Sequence, residues 1–143
     1  MTDDQTPHRS LDKWGLVYLV LGGGMMVNAL WMFIDPGHWY AELPAAVPDT
    51  GPLNHHFVRD IGCAFLTAGV ALVWAALDAA RRLPLVGTAT LFLTAHAVLH
   101  VYDTASGALP HSHWWLDFPG VYLPAIVLVW STVGLVRAPV RAA

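Results

Sequence analysis

Residues 56–77 of the chain are HFVRDIGCAFLTAGVALVWAAL. Beyond Asp60 the segment carries no charged residue. It is long enough to cross a lipid bilayer, because a membrane-spanning helix needs about 20 mostly apolar residues. Its first two turns are nevertheless rich in polar groups, among them His56 and Arg59. The segment therefore predicts a membrane helix with a polar end.

Three further segments share this length and apolar character. Together the four predict spans at about residues 14–34, 56–77, 83–102 and 118–136. The 143-residue chain has the length of one domain. It is 56% hydrophobic and 12% charged, whereas a soluble domain is about half apolar and about a quarter charged. We predict one all-α domain over residues 1–143, an integral membrane four-helix bundle.

The composition also excludes several classes of protein. With 7 Lys and Arg against 10 Asp and Glu, the chain has no basic face for nucleic acid. Its single cysteine, Cys63, excludes a disulfide framework and a thiolate zinc cluster. The expected partner is the lipid bilayer, with other membrane subunits or a second copy of the chain as further candidates.

The basic residues predict how the bundle is oriented. Lys and Arg near the ends of spans favour the cytoplasm, and all but one of them fall on the same side of the four spans: Arg9, Lys13, Arg81, Arg82, Arg137 and Arg141. Both termini are therefore expected in the cytoplasm. In architecture the chain resembles small four-span proteins of bacterial inner membranes, which implies that location and transfers no site residue.

Polar residues recur at helical spacing within the second and third spans. His56 and Asp60 lie four residues apart, as do His96 and His100, with Asp103 one turn further. The short connection between the two spans makes them antiparallel neighbours, so the two polar faces can meet. Ionisable groups in a span usually face the bundle interior and mark a functional site.

This pattern predicts a metal centre. Its candidate ligands are three imidazoles and two carboxylates: His56, Asp60, His96, His100 and Asp103. A mixed nitrogen and oxygen set suits Zn, Fe or Mn, and Cu is also compatible with it. Such a centre would support redox or hydrolytic chemistry on a lipid-soluble substrate, or metal handling. Asp60 or Asp103 would accept a proton, and Asp103 could instead orient His100. Arg59 would hold an anionic substrate group or pair with Asp60.

Three other interpretations remain open at this stage. The cluster could be a structural polar network in a non-enzymatic subunit of a larger membrane complex. A metal-free enzyme could use His and Asp as acid and base. Haem is less suited, because haem pockets are mostly apolar and Asp60 and Asp103 lie beside the histidines. The sequence does not decide whether the protein is an enzyme.

The connecting segments carry smaller predictions. The proline-rich loop after Asp35 is expected to hold a short interfacial helix, and Pro124 to kink the fourth span or open its outer end. Asp117 is interpreted as a helix cap. Loop histidines are expected to hold ligands poorly because a loop must be ordered first: His38, His111 and His113.

Overall fold

A computed structural model describes residues 11–137, so Arg9 and Arg141 lie outside the described residues. The described chain is helical and contains no strand, which confirms the all-α prediction. The helices are α1 (Lys13–Ile34), α2 (Pro36–Glu42), α3 (His55–Leu77), α4 (Arg82–Ser106), α5 (His113–Leu116) and α6 (Leu123–Arg137). Two 3-10 turns, Val47–Thr50 and Ala79–Arg81, and a π-helical turn, Phe118–Tyr122, complete them.

Four helical segments are long and apolar enough to cross a membrane: Lys13–Ile34, His55–Leu77, Ala79–Ser106 and Phe118–Arg137. They coincide with the four predicted spans to within a few residues at each boundary. The third runs on to Ser106, so Asp103 lies inside α4. The π-helical turn comes just before Pro124, where the sequence predicted an irregular end of the fourth span.

Among the described helices, α1 and α3 share the most extensive contact. A methyl group added at Gly22 would lie 2.7 Å from the carbonyl oxygen of Gly69, and one added at Gly69 would lie 2.8 Å from that of Gly22. Only glycine permits this backbone contact. Gly23, the next residue, has nothing within 4 Å of such a methyl group.

The contacts between helices identify two opposite ends of the bundle. At the first, the Arg82 end, Arg82 at the start of α4 binds Asp12 just before α1. Near this end the Tyr18 hydroxyl of α1 also hydrogen-bonds the Ser131 hydroxyl of α6. The second is the Asp117 end. It contains the end of α4, the loop between α1 and α3, and the loop between α4 and α6. Between the two ends the core is apolar, with Leu72, Leu93 and Leu128 fully buried.

The loop after α1 folds back over the bundle. Asp35 caps α2 through the backbone N–H of His38, as the sequence predicted a short helix here. Trp39 of α2 donates its indole N–H to Asn28 of α1, at 2.8 Å. Tyr40 donates its hydroxyl to the carbonyl of Gly51, at 2.8 Å. These bonds hold the segment between them, including the turn that carries Asp49, at the Asp117 end.

Candidate functional site

The predicted site residues of α3 lie on its exposed face. The imidazole of His56 is 3.3 Å from the carboxylate of Asp60, with 87% and 58% of the two side chains exposed. Arg59 donates its Nε to the carbonyl of Phe33 in α1, at 3.3 Å. Among the described hydrogen bonds and ion pairs, none joins His56 or Asp60 to a histidine of α4.

The two α4 histidines do lie side by side. The ring centroids of His96 and His100 are 4.6 Å apart. Phe65 of α3 meets His96 edge-on, and Phe92 stacks on its other side. The described contacts give the Asp103 side chain no hydrogen-bond partner, so it does not orient His100 here.

The carboxylate that meets His100 is Asp117. Nδ1 of His100 lies 2.8 Å from Oδ2 of Asp117, and Nδ1 of His113 lies 3.2 Å from the same oxygen. Asp117 is 1% exposed and His113 is fully buried. A buried carboxylate needs hydrogen-bond partners, and these two imidazoles supply them.

His113 continues the series toward the surface. Its second ring nitrogen, Nε2, lies 3.3 Å from Oδ2 of Asp49, whose side chain is 42% exposed. Asp49 lies three residues after Ala46. The φ of Ala46 is 48°, in the left-handed region that residues other than glycine rarely adopt. The loop between α1 and α3 is thus bent so that Asp49 meets His113.

Local structure explains why Asp117 can serve two imidazoles. It follows α5 at four residues from His113, so the two side chains share a helical face. Asp117 occupies the N-cap position that the sequence predicted for it, but its side chain makes no capping hydrogen bond there. The π-helical turn begins at the next residue, and the carboxylate contacts the imidazoles of α4 and α5 instead.

Two buried hydroxyls lie on the elements that form this site. Thr104 is fully buried and occupies the position one turn beyond His100 on α4. Tyr122 ends the π-helical turn, and its ring centroid lies 6.3 Å from that of Trp114. Thr104 lies within hydrogen-bonding reach of the Tyr122 hydroxyl, although neither hydroxyl makes a well-formed hydrogen bond within the described residues. Buried polar atoms are normally paired, and these two hydroxyls are candidate partners for each other, so they do not by themselves mark a site for a bound molecule.

No group of three or more His, Cys, Asp or Glu side chains within residues 11–137 is arranged to hold a metal ion. The five predicted ligands form two separate sets, one on α3 and one on α4. The series that does form is His96, His100, Asp117, His113 and Asp49, which we call the His–Asp series.

Comparison with known proteins adds no assignment. No family model, no curated protein and no solved structure matches this chain.

Sequence reasoning identified two members of the His–Asp series, His96 and His100, and missed the other three. His113 and Asp117 carry one usable signal, their spacing of four residues, which places an imidazole and a carboxylate on one helical face. Asp49 carries no such signal, because it lies in a loop 64 residues from His113.

Proposed function

We propose that this chain is a small membrane protein with an acid–base site at the Asp117 end. In this proposal the imidazoles of His96 and His100 act on a lipid-soluble substrate. They exchange protons with water through Asp117, His113 and Asp49. The observation that carries the proposal is the His–Asp series itself, whose polar contacts from His100 to Asp49 are 2.8–3.3 Å long. Chains of His and acidic residues in membrane proteins commonly form proton relays.

The bond to Asp117 makes His100 the proton acceptor. An ionised carboxylate only accepts hydrogen bonds, so Nδ1 of His100 donates to it. In the neutral ring this leaves the lone pair on Nε2 free to take a proton. His100 is therefore prepared as a general base, with its ring orientation fixed by Asp117.

His113 links this base to the surface. Both of its ring nitrogens face carboxylate oxygens, and both can donate only when the ring is an imidazolium. An imidazolium between Asp117 and Asp49 can release a proton toward Asp49 and regain one from His100 through Asp117. Asp49 is partly exposed, so the proton reaches water there.

The series ends at His96. The aromatic rings of Phe65 and Phe92 pack against it, and the buried Leu93 lies in the core beyond. Apolar side chains provide no groups to carry a proton onward. This supports a local acid–base site and not a proton pathway through the whole membrane.

The reactivity of His100 tests the proposal. Protein in nanodiscs is treated with diethyl pyrocarbonate at pH 8, above the unperturbed histidine pKa of about 6.5, and labelling of each histidine is followed by mass spectrometry. Asp117→Asn should slow acylation of His100 by about tenfold or more, because the ring loses its carboxylate partner. The exposed His38 and His111 serve as internal standards. An unchanged rate at His100, with both standards also unchanged, would contradict the acid–base site.

A bound transition metal is the second candidate. Histidines that ligate metals usually donate their other ring N–H to a carboxylate, and His100 does so to Asp117. His96 lies beside it, and the sequence adds His56, Asp60 and Asp103 as further ligands for Zn, Fe, Mn or Cu. Elemental analysis of protein purified without chelator tests this. His100→Ala should remove the metal and His113→Ala should retain most of it, and absence of stoichiometric metal in the parent protein would argue against the candidate.

If both tests fail, the His–Asp series is a structural network, and the role left is that of a non-enzymatic subunit.

For the location, we propose a bacterial inner membrane with the Arg82 end in the cytoplasm. The support is that the described basic residues lie at that end, with the exception of Arg59: Lys13, Arg81, Arg82 and Arg137. In a Cys63→Ser background, a cysteine introduced at Ala79 should be labelled only from the cytoplasmic side and one introduced at Thr50 only from the outer side. The exchanged pattern would reverse the orientation, and labelling of both from one side would refute it.

A further inference from the structure

The exposed side of α3 is polar over its first half. Three of its residues contain ionisable groups with exposed side chains, His56, Arg59 and Asp60, and two more, Cys63 and Thr67, are polar and exposed. We call these five residues the α3 polar face. Further along the same side of the helix the exposed residues become apolar, at Val70, Trp74 and Leu77.

The other long helices expose many large apolar residues. α1 exposes Val20, Val27 and Leu30, α4 exposes Leu91, Val98 and Val101, and α6 exposes Ile126, Trp130 and Val133. Such residues suit contact with lipid tails. The α3 polar face does not, because charged groups inside a bilayer pair with one another or line a cavity.

Within the described residues the charges of this face are not fully paired. Asp60 has one contact, with the imidazole of His56. Arg59 uses only Nε, which donates to Phe33, and its terminal guanidinium nitrogens make no described hydrogen bond or ion pair. A partner in the membrane would therefore bring an acceptor to Arg59 and a donor to Asp60.

We propose that this partner is a second copy of the chain, bound through the α3 polar face about a two-fold axis along the membrane normal. Arg59 and Asp60 are consecutive, so they differ in depth by only about 1.5 Å and in direction by about 100°. A two-fold axis between two such helices sets each Arg59 opposite the second copy's Asp60, on both sides of the axis. The interface is then self-complementary in charge.

The spacing of the residues midway between Arg59 and Asp60 fits the same arrangement. Cys63 lies in that direction, and together with His56, Val70 and Leu77 it forms a row at intervals of seven residues. Residues seven apart lie along one side of a helix, and two helices that pack side by side can meet along such a row. The row brings the single cysteine of each copy close to the axis. The half of the contact toward Leu77 is apolar. The charge pairs therefore set the register of the two helices, and the apolar residues extend the packing.

Self-complementarity is what selects a second copy over a different subunit. Arg59 and Asp60 have opposite charges and lie at nearly the same depth on one face. Two copies of this face can therefore pair with each other, and no other residue is needed. The proposal does not depend on the acid–base site, because no described hydrogen bond or ion pair joins the α3 polar face to the His–Asp series.

Crosslinking through the native Cys63 is the first test. Membranes containing the parent chain are treated with copper phenanthroline, or with a short bis-maleimide, and analysed for dimer. Cys63 should give a crosslinked dimer, whereas a Cys63→Ser, Val98→Cys variant, with its cysteine on the exposed apolar face of α4, should give little. Equal crosslinking at the two positions, or none at Cys63 with either reagent, would overturn the proposal.

A charge-reversal pair separates contact between copies from contact within one chain. Arg59→Asp places two acidic residues opposite two acidic residues, and Asp60→Arg does the same with basic residues, so each variant expressed alone should lose most of the Cys63 dimer. Co-expressed with different tags, the two variants are complementary and should form the mixed dimer at close to the parent level. Failure of the mixed dimer to form, with both chains present in the membrane, would contradict the pairing of Arg59 with Asp60 of a second copy.

Discussion

The polar contacts at the Arg82 end centre on one guanidinium, and those at the Asp117 end centre on one carboxylate. Arg82 forms a bidentate pair with Asp12, at 2.6 and 2.8 Å, and donates Nε to the carbonyl of Ala75 at 3.0 Å. It also lies over the ring of Tyr18. Asp117 instead accepts from the imidazoles of His100 and His113. The first set joins α1, α3 and α4, and the second joins α4 to the loop before α6.

The difference lies in what the two sets can do with protons. A guanidinium stays charged at all ordinary pH values, so the Arg82 contacts have one state. An imidazole can carry a proton on either ring nitrogen or on both, so the Asp117 contacts have several states. The Arg82 end is therefore suited to holding helices together, and the Asp117 end contains the groups that the proposed proton exchange requires. The predictions below test this contrast, beginning with the largest expected effect.

Removing the carboxylate should damage the Asp117 end most. Asp117→Ala leaves the buried His113 and the neighbouring His100 without their shared acceptor. We expect a loss of about 3–5 kcal/mol in the free energy of unfolding, as when one partner of a buried pair is removed. Titration with sodium dodecyl sulfate in mixed micelles measures it. The exposed His111→Ala is the control, at within about 0.5 kcal/mol of the parent. A loss below about 1 kcal/mol for Asp117→Ala would show that the network is not buried as described.

At the Arg82 end, Arg82→Met should cost less, about 1.5–3 kcal/mol, the range for hydrogen bonds to charged groups. The Arg82 side chain is 12% exposed, but its partner Asp12 is 55% exposed, so water replaces part of what is lost. Arg81→Met is the matched control, since Arg81 pairs with Asp78 on the surface, and such pairs contribute about 0–1 kcal/mol. Equal losses for the two substitutions would remove the special role given to Arg82.

Between the two ends, Gly22→Ala tests the close backbone contact between α1 and α3. The added methyl group would meet the Gly69 carbonyl, so we expect a loss of about 1–3 kcal/mol from overpacking. Gly23→Ala has open space and should be neutral or stabilising by about 0.5–1 kcal/mol, because alanine favours the helix. The same detergent titration measures both, and similar values for the pair would mean that α1 and α3 are further apart than described.

Acid should have the smallest effect, at the Arg82 end. The hydrogen bond from Arg82, with that from the backbone of Gly15, holds the pKa of Asp12 below its ordinary value of 3.8. A lowered folded-state pKa gives stability that is present above pH 3.8 and lost as the pH falls through the folded-state value. Because Asp12 is largely exposed, the contribution is below about 1 kcal/mol.

Asp12→Asn isolates this charge, because the amide oxygen can still cap α1. The difference in unfolding free energy between the parent and Asp12→Asn should be constant from pH 7 to about pH 4 and shrink below it. A difference that instead grew as the pH fell would reverse the assigned direction.

How much of the structure could be predicted from the sequence differs between the spans and the candidate site, for a physical reason. The spans follow from hydrophobic length, which is local along the chain, so all four were located to within a few residues. The adjacency of His96 and His100 is also local, since four residues make about one helical turn. The metal set combined His56 and Asp60 with these histidines by assuming which faces of α3 and α4 meet. No described contact joins the two pairs, and that set remains a prediction.

The sequence alone therefore determined the four long apolar helices and the pair of imidazoles on α4, because hydrophobic length and helical periodicity are properties of neighbouring residues. Only the tertiary structure decided which carboxylate serves His100. Asp103 is three residues away along the same helix yet makes no side-chain hydrogen bond in the described structure, whereas Asp117 approaches from the segment before α6. Asp49 reaches His113 from a loop 64 residues earlier. Such contacts depend on the path of loops and on how helices pack, and local spacing does not encode either.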